Sequence, residues 1–172
     1  VLMEFDGERL ETQELRPPRD LHFVIVDLQE KKDTLTILKH LNRAYPFAEN
    51  ALEMGVQELL GPVNKRVVHE ACAALRAGDG ERLGALMGEA QELFDRHARP
   101  VCPEELDSPV LHKVLSHPPL KPHVFGGKGV GSQGDGSAQF VARSAEDQQK
   151  VVEILERDLG VKCLTVTLGS VP

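Results

Sequence analysis

The chain has 172 residues, 41% of them apolar and 27% charged, which describes one globular domain with a sizeable core. Lys and Arg total 20 against 27 Asp and Glu, a formal net charge of -7, so no global positive field recruits nucleic-acid phosphates. Aromatic residues make up 4% with no Trp, which removes base-stacking platforms, and the longest apolar run, Phe23-Val24-Ile25-Val26, is far too short to span a bilayer.

Val1 is not a start methionine, no basic-then-apolar leader follows it, and the chain opens directly into strand-like sequence, as a piece of a longer protein is expected to begin. Residues 1–15 read as a β-hairpin turning at Asp6-Gly7, because Gly accepts the positive φ of a tight turn. After Pro17-Pro18, Leu21-His22-Phe23-Val24-Ile25-Val26-Asp27 is nearly all apolar and predicts a central strand. Four amphipathic helical segments follow. The first is capped by Asp33 or Thr34 and carries Leu35, Ile37, Leu38 and Leu41. The second covers about 48–60 and stops at Gly61-Pro62; the third carries Val63, Val67, Val68, Ala71 and Leu75 and ends at Gly78. The fourth carries Leu83, Leu86, Met87, Ala90, Leu93, Phe94 and His97. A short helix is predicted near 106–116, then the end of a strand at His123-Val124-Phe125, and a Gly-rich loop over 126–137. Ala138–Ala142 is the next strand. Ser144 with Asp147 forms a capping box for a helix ending at Gly160, and Lys162–Leu168 alternates as a final strand. Without the hairpin and the additional helices the order is βαββαβ. That order predicts an α+β, ferredoxin-like antiparallel sheet with helices on one face and extra inserted helices.

The three cysteines, Cys72, Cys102 and Cys163, lie far apart with no CxxC pair, which fits reduced thiols in a cytoplasmic protein. The seven His residues show no metal-binding spacing and read as surface or satisfied core groups. Lys31-Lys32 reads as a solvated turn, Glu104, Glu105 and Asp107 as an acidic first helical turn, and Asp27 as either a cleft residue or a cap of the next turn.

Most of the functional information sits in Gly126-Gly127-Lys128-Gly129-Val130-Gly131-Ser132-Gln133-Gly134-Asp135-Gly136-Ser137, six glycines in twelve residues. Converging main-chain N–H groups in such a loop form an anion-binding nest, to which Lys128, Ser132 and Ser137 add donors. An unconstrained surface loop is the plain alternative. Gly129, Gly131 and Gly134 make a formal GxGxxG. A dinucleotide fold needs a helix directly after it, where this chain has a strand. A protein-kinase loop needs Val where Gly136 stands and VAIK, HRD and DFG segments elsewhere, and a Walker A loop needs a terminal Gly-Lys-Ser/Thr.

The segment fits without a gap the third motif of the GHMP kinase superfamily (galactokinase, homoserine, mevalonate and phosphomevalonate kinases), G-A-K-L-T-G-A-G-G-G-G-C followed by a strand, and resembles it. Cys102-Pro103-Glu104-Glu105-Leu106-Asp107 resembles the family's S-x-P-E-L-D segment. His22–Asp27 with Lys32-Asp33-Thr34 resembles the strand and turn that open its C-terminal domain. The resemblance implies residues 21–172 as a GHMP-kinase-like C-terminal domain, preceded by a hairpin and linker, 1–20, left from an N-terminal domain. It also implies the C-terminal part of an ATP-dependent kinase acting on a metabolite hydroxyl, a sugar or sugar acid by preference, and a fragment inactive alone. ATP and Mg²⁺ are its implied cofactors, with the ATP loop, the Mg²⁺ ligands and the catalytic Asp all in the missing N-terminal domain. No nucleic acid or membrane partner is expected. The candidate nucleotide- or substrate-binding loop comprises Gly127, Lys128, Gly129, Gly131, Ser132, Gln133, Gly134, Asp135, Gly136 and Ser137, with no catalytic or metal residue in the chain. Val130, Gln133 and Asp135 depart from the motif, and the Asp135 charge would repel a phosphate, so a substrate-facing or bracing role suits 133–135. The rival reading is a non-catalytic ferredoxin-like module that binds a ligand or a protein.

Overall fold

The computed structural model describes residues 1–169. Strands β1 (Leu2–Asp6) and β2 (Arg9–Gln13) form the expected hairpin, turning on Gly7-Glu8, one residue later than the sequence suggested, with Gly7 at φ +58°. The hairpin is exposed almost throughout and contributes nothing to the core. It touches the remainder through polar contacts, such as the Arg76 guanidinium donating to Gln13 Oε1 at 2.6 Å.

Four further strands, β3 (Leu21–Asp27), β4 (Val124–Gly129), β5 (Ser137–Ala142) and β6 (Lys162–Leu168), form one antiparallel sheet in the order β4-β5-β3-β6. That is the ferredoxin-like order. Seven helices connect them: α1 (Thr34–Ala44), α2 (Ala51–Glu58), α3 (Asn64–Ala77), α4 (Gly80–His97), α5 (Pro103–Leu106), α6 (Pro109–Leu115) and α7 (Ala145–Leu159).

Period-2 alternation sends the two halves of β3 to different cores. Val24 and Val26 join Ala138 and Phe140 of β5 beneath α6 and α7, which supply Leu111, Val114, Val151 and Leu155. These are the two helices a ferredoxin-like unit places on one face. Leu21, Phe23 and Val141 point the other way, against Ala74, Leu83 and Met87 of α3 and α4. The inserted helices therefore reach the second face instead of joining one layer. They also hold a core of their own, with Ile37, Leu41, Ala44, Val56 and Leu59 packed on Ala98, Cys102 and Leu106. Full burial of each large apolar side chain is worth about 1.5–3 kcal/mol.

The local signals act as their chemistry dictates. Asp33 caps α1 by accepting from Leu35 N and Thr36 N, and Asp79 caps α4 by accepting from Arg82 N. Ser144 and Asp147 form the capping box of α7, while Gly78 and Gly160 end α3 and α7 in the left-handed conformation. Two boundaries differ from expectation. Gly61-Pro62 does not open a loop: residues 59–63 form a kinked π turn with Gly61 off helical geometry, so α2 runs almost directly into α3. The helix expected near 106–116 is α6, starting at Pro109 because Pro109 bars Ser108, at φ +45°, from the helical region, and a further short helix, α5, precedes it.

Candidate functional site

Part of the expected loop is strand. Gly127, Lys128 and Gly129 belong to β4, opposite Phe140, Gln139 and Ala138 of β5. Their neighbour Gly126 is glycine because helix and strand touch backbone to backbone: a Cβ there would lie 2.1 Å from the Gly84 carbonyl oxygen. At Gly127 a Cβ would lie 2.5 Å from the Phe140 ring. These glycines serve packing, and the loop proper is 130–136.

That loop is held from several directions. Gly131, Gln133 and Gly134 all adopt positive φ, from +61° to +70°. At Gln133, which lacks glycine's freedom, the conformation is fixed from outside, since Lys32 Nζ donates to its carbonyl at 2.9 Å. The Lys32 stem lies where side chains at Gly134 and Gly136 would stand. Asp135 Oδ1 accepts from Leu111 N at 2.7 Å, supplying the cap that Ser108 does not give α6. Its charge is thereby engaged by a helix end, in keeping with a bracing role. Ser137 closes the loop by accepting from Val130 N at 3.0 Å.

A second support runs beneath β4. Gly129 N donates to Gln91 Oε1 at 2.7 Å, and Gln91 Nε2 donates to Asp95 Oδ1 at 2.9 Å. Asp95 Oδ2 meets His112 Nε2 at 2.9 Å, and His112 Nδ1 meets the Ser108 carbonyl at 2.8 Å. Both ring nitrogens face acceptors, the arrangement of an imidazolium. Burial pushes the His112 pKa down, but the Asp95 carboxylate and the Ser108 carbonyl outweigh it and hold it above the ordinary value.

Lys128 carries the electrostatics. Its ammonium donates to the Gly129 carbonyl at 2.6 Å, no carboxylate pairs with it among the described residues, and burial pushes its pKa down. It lines two adjoining cavities, of about 170 and 330 Å³, walled by Asn64, Val67 and Ala90. Gly131 and Gln133 line the smaller one. Gln133 is 4% exposed with its Oε1 unpartnered, and Ser132 Oγ is also buried without a partner. The N–H groups of Gly131, Ser132, Gly134, Asp135 and Gly136 have no acceptor among the described residues. Lys128, partly desolvated, thus shares an apolar cleft with Gly131 and Gln133, and the adjoining loop keeps unspent amide donors and a buried, unpartnered Ser132 Oγ. Such a set suits an anion that also carries a hydroxyl or another donor. A larger cavity of about 360 Å³ lies at the other end of the sheet, beside Leu21 and Ala142, away from the loop.

The donor set fits a phosphate or carboxylate. A divalent cation finds little here, since Asp135 is the loop's one carboxylate and is engaged with Leu111. Outside the loop, Asp27 caps the next turn by accepting from Gln29 N at 2.9 Å. Lys32, read from the sequence as solvated, is instead a loop support. Gln91, Asp95 and His112 carried no local signal at all.

No protein-family model and no curated protein sequence matches the chain. Solved structures do. L. major mevalonate kinase superposes with TM-score 0.69 at 19% identity, covering 98% of this chain and 48% of the kinase. Streptococcus pneumoniae phosphomevalonate kinase gives 0.65 at 14%, covering 93% and 45%, and Lactococcus lactis galactokinase 0.61 at 14%, covering 98% and 50%. The fold is that of part of a GHMP kinase. The chain spans about half the length of these GHMP kinases. Its α+β fold is the one shared with them. Among the described residues, no helix is long and apolar enough to cross a membrane.

Proposed function

We propose that residues 21–172 form the C-terminal domain of an ATP-dependent kinase that phosphorylates a hydroxyl of a small metabolite, and that residues 1–20 belong with an N-terminal domain supplied upstream. The observation that carries this reading is the Lys128 ammonium, partly desolvated and with no carboxylate partner among the described residues, in a cleft it shares with Gly131 and Gln133, in a chain with the GHMP-kinase fold. Phosphoryl transfer depends mainly on positioning and on stabilising charge, which is what a braced, donor-rich loop supplies. ATP provides the phosphoryl group; Mg²⁺, its ligands and the catalytic base are assigned to the missing domain. This chain's own part is to close one wall of the cleft. Lys128 holds an anionic group of the acceptor, the Gln133 amide oxygen receives one of its hydroxyls, and Gly131, Ser132 and Gly134 turn their amides to the reacting side. A sugar or sugar acid is the acceptor class proposed, and Lys128 favours the acid.

The test is ADP release by the complete polypeptide with ATP, Mg²⁺ and a panel of sugars, sugar acids and other hydroxy acids. We expect acceptor-dependent turnover, and about a tenfold or greater loss of kcat/KM in Lys128→Met. ADP release that no acceptor stimulates, or Lys128→Met turning over normally with the acceptor that works, overturns the reading.

A further inference from the structure

A second group of chemically active side chains lies outside the loop and its supports. His40 on α1, Cys102 at the start of α5 and Glu104 within it each offer one donor atom, and the three atoms all lie within 4.8 Å of one another. Cys102 is 0% exposed, His40 is half-buried and Glu104 is exposed, so the group runs from the core of the inserted helices to the surface.

The spacing satisfies the groups only in part: the Glu104 carboxylate engages the Cys102 thiol, while His40 is left without a close partner. His40 Nε2 stands 3.7 Å from Glu104 Oε1, too far for a good hydrogen bond, and the imidazole has no other polar partner among the described residues. The His40–Glu104 separation is close to that of two ligands on one tetrahedral ion, where bonds of about 2.0–2.3 Å place ligand atoms roughly 3.3–3.8 Å apart, and the Cys102 sulfur lies within 4.8 Å of both. The donor types also select. A thiolate is a poor ligand for Mg²⁺ or Ca²⁺, whereas imidazole, thiolate and carboxylate together suit zinc and its tetrahedral relatives.

We propose that His40, Cys102 and Glu104 form a transition-metal site of the zinc class, with three protein ligands and one open position. Binding replaces the Cys102 Sγ–H by an Sγ–metal bond and releases that proton to solvent. His40 also lines a cavity of about 270 Å³ with Arg43, Asn50 and Glu53, from which water can complete the coordination. The ion ties α1 to α5 across the inserted-helix core, where Ile37 and Leu41 already meet Cys102 and Leu106. It is independent of the Lys128 cleft and of the kinase reading.

The experiment is a Co²⁺ titration of the full reduced chain, followed by absorption, with Zn²⁺ competing. We expect one equivalent bound, tetrahedral visible bands with a thiolate charge-transfer band in the near ultraviolet, and displacement by Zn²⁺. Cys102→Ser, nearly isosteric, loses the charge-transfer band, and Glu104→Gln, an exposed change that spares the core, weakens binding about tenfold or more. A His40→Gln variant behaves likewise, and circular dichroism confirms that each variant is folded. The proposal is overturned by the absence of a one-equivalent complex. It is equally overturned by weak, multi-site binding without a thiolate band, or by affinity unchanged in Glu104→Gln and His40→Gln.

Discussion

At the scale of single residues, the most instructive group is His112. Asp95 and the Ser108 carbonyl hold its proton, against the opposing effects of burial and of Arg99. The folded chain therefore binds this proton more tightly than the unfolded chain does. Its contribution is complete below the unfolded value, about 6.5, and is lost as pH climbs through the higher folded value. Thermal unfolding followed from pH 6 to pH 9 should show stability falling across that window, with the fall flattened in His112→Gln. A wild-type profile no steeper than the variant's would remove His112 from the network. The same residues mark the limit of local reading. Lys32 follows Lys31 in a stretch with no periodic pattern, so a solvated turn is all that its neighbours suggest. Its ammonium reaches Gln133, 101 positions away. Gln91, Asp95 and His112 likewise acquire meaning only when α4 and α6 are packed together.

At the scale of elements, what was legible is what is encoded within a few residues. β3 announced itself by an unbroken apolar run, α7 by its capping box and terminal glycine, and the ferredoxin-like antiparallel sheet by the succession of elements. The Gly-rich segment misled in one respect: Gly126 and Gly127 have the same composition signature as a nest but answer a packing demand. Helix α4 meets β4 backbone to backbone at Gly84, where a Cβ would lie 2.5 Å from the Phe125 carbonyl carbon and 2.7 Å from Gly126 N. Backbone atoms cannot rotate aside, so Gly84→Ala should cost about 3 kcal/mol, the upper end for overpacking. Gly88, on the same helix, has nothing within 4 Å of where a Cβ would stand, and Gly88→Ala should stabilise by about 0.5–1 kcal/mol. Urea unfolding of the two variants provides the comparison; equal midpoints would contradict the backbone contact.

At the scale of the whole molecule, the hairpin stands outside the cores that hold the sheet and its two helical faces. No residue of β1 or β2 enters any core cluster, and Met3, Phe5 and Leu10 are exposed. A chain beginning at Arg16 should unfold within about 2 °C of the longer one, because the discarded segment contributes little burial. A drop of several degrees would show that the hairpin stabilises α3. The loop at the cleft has a different standing. Two distant side chains, Lys32 on Gln133 and Gln91 on Gly129, and the loop's own Asp135 on Leu111 set its shape before anything arrives. The entropy of ordering those amides has been met during folding, so an incoming anion encounters a rigid receptor and need not organise one.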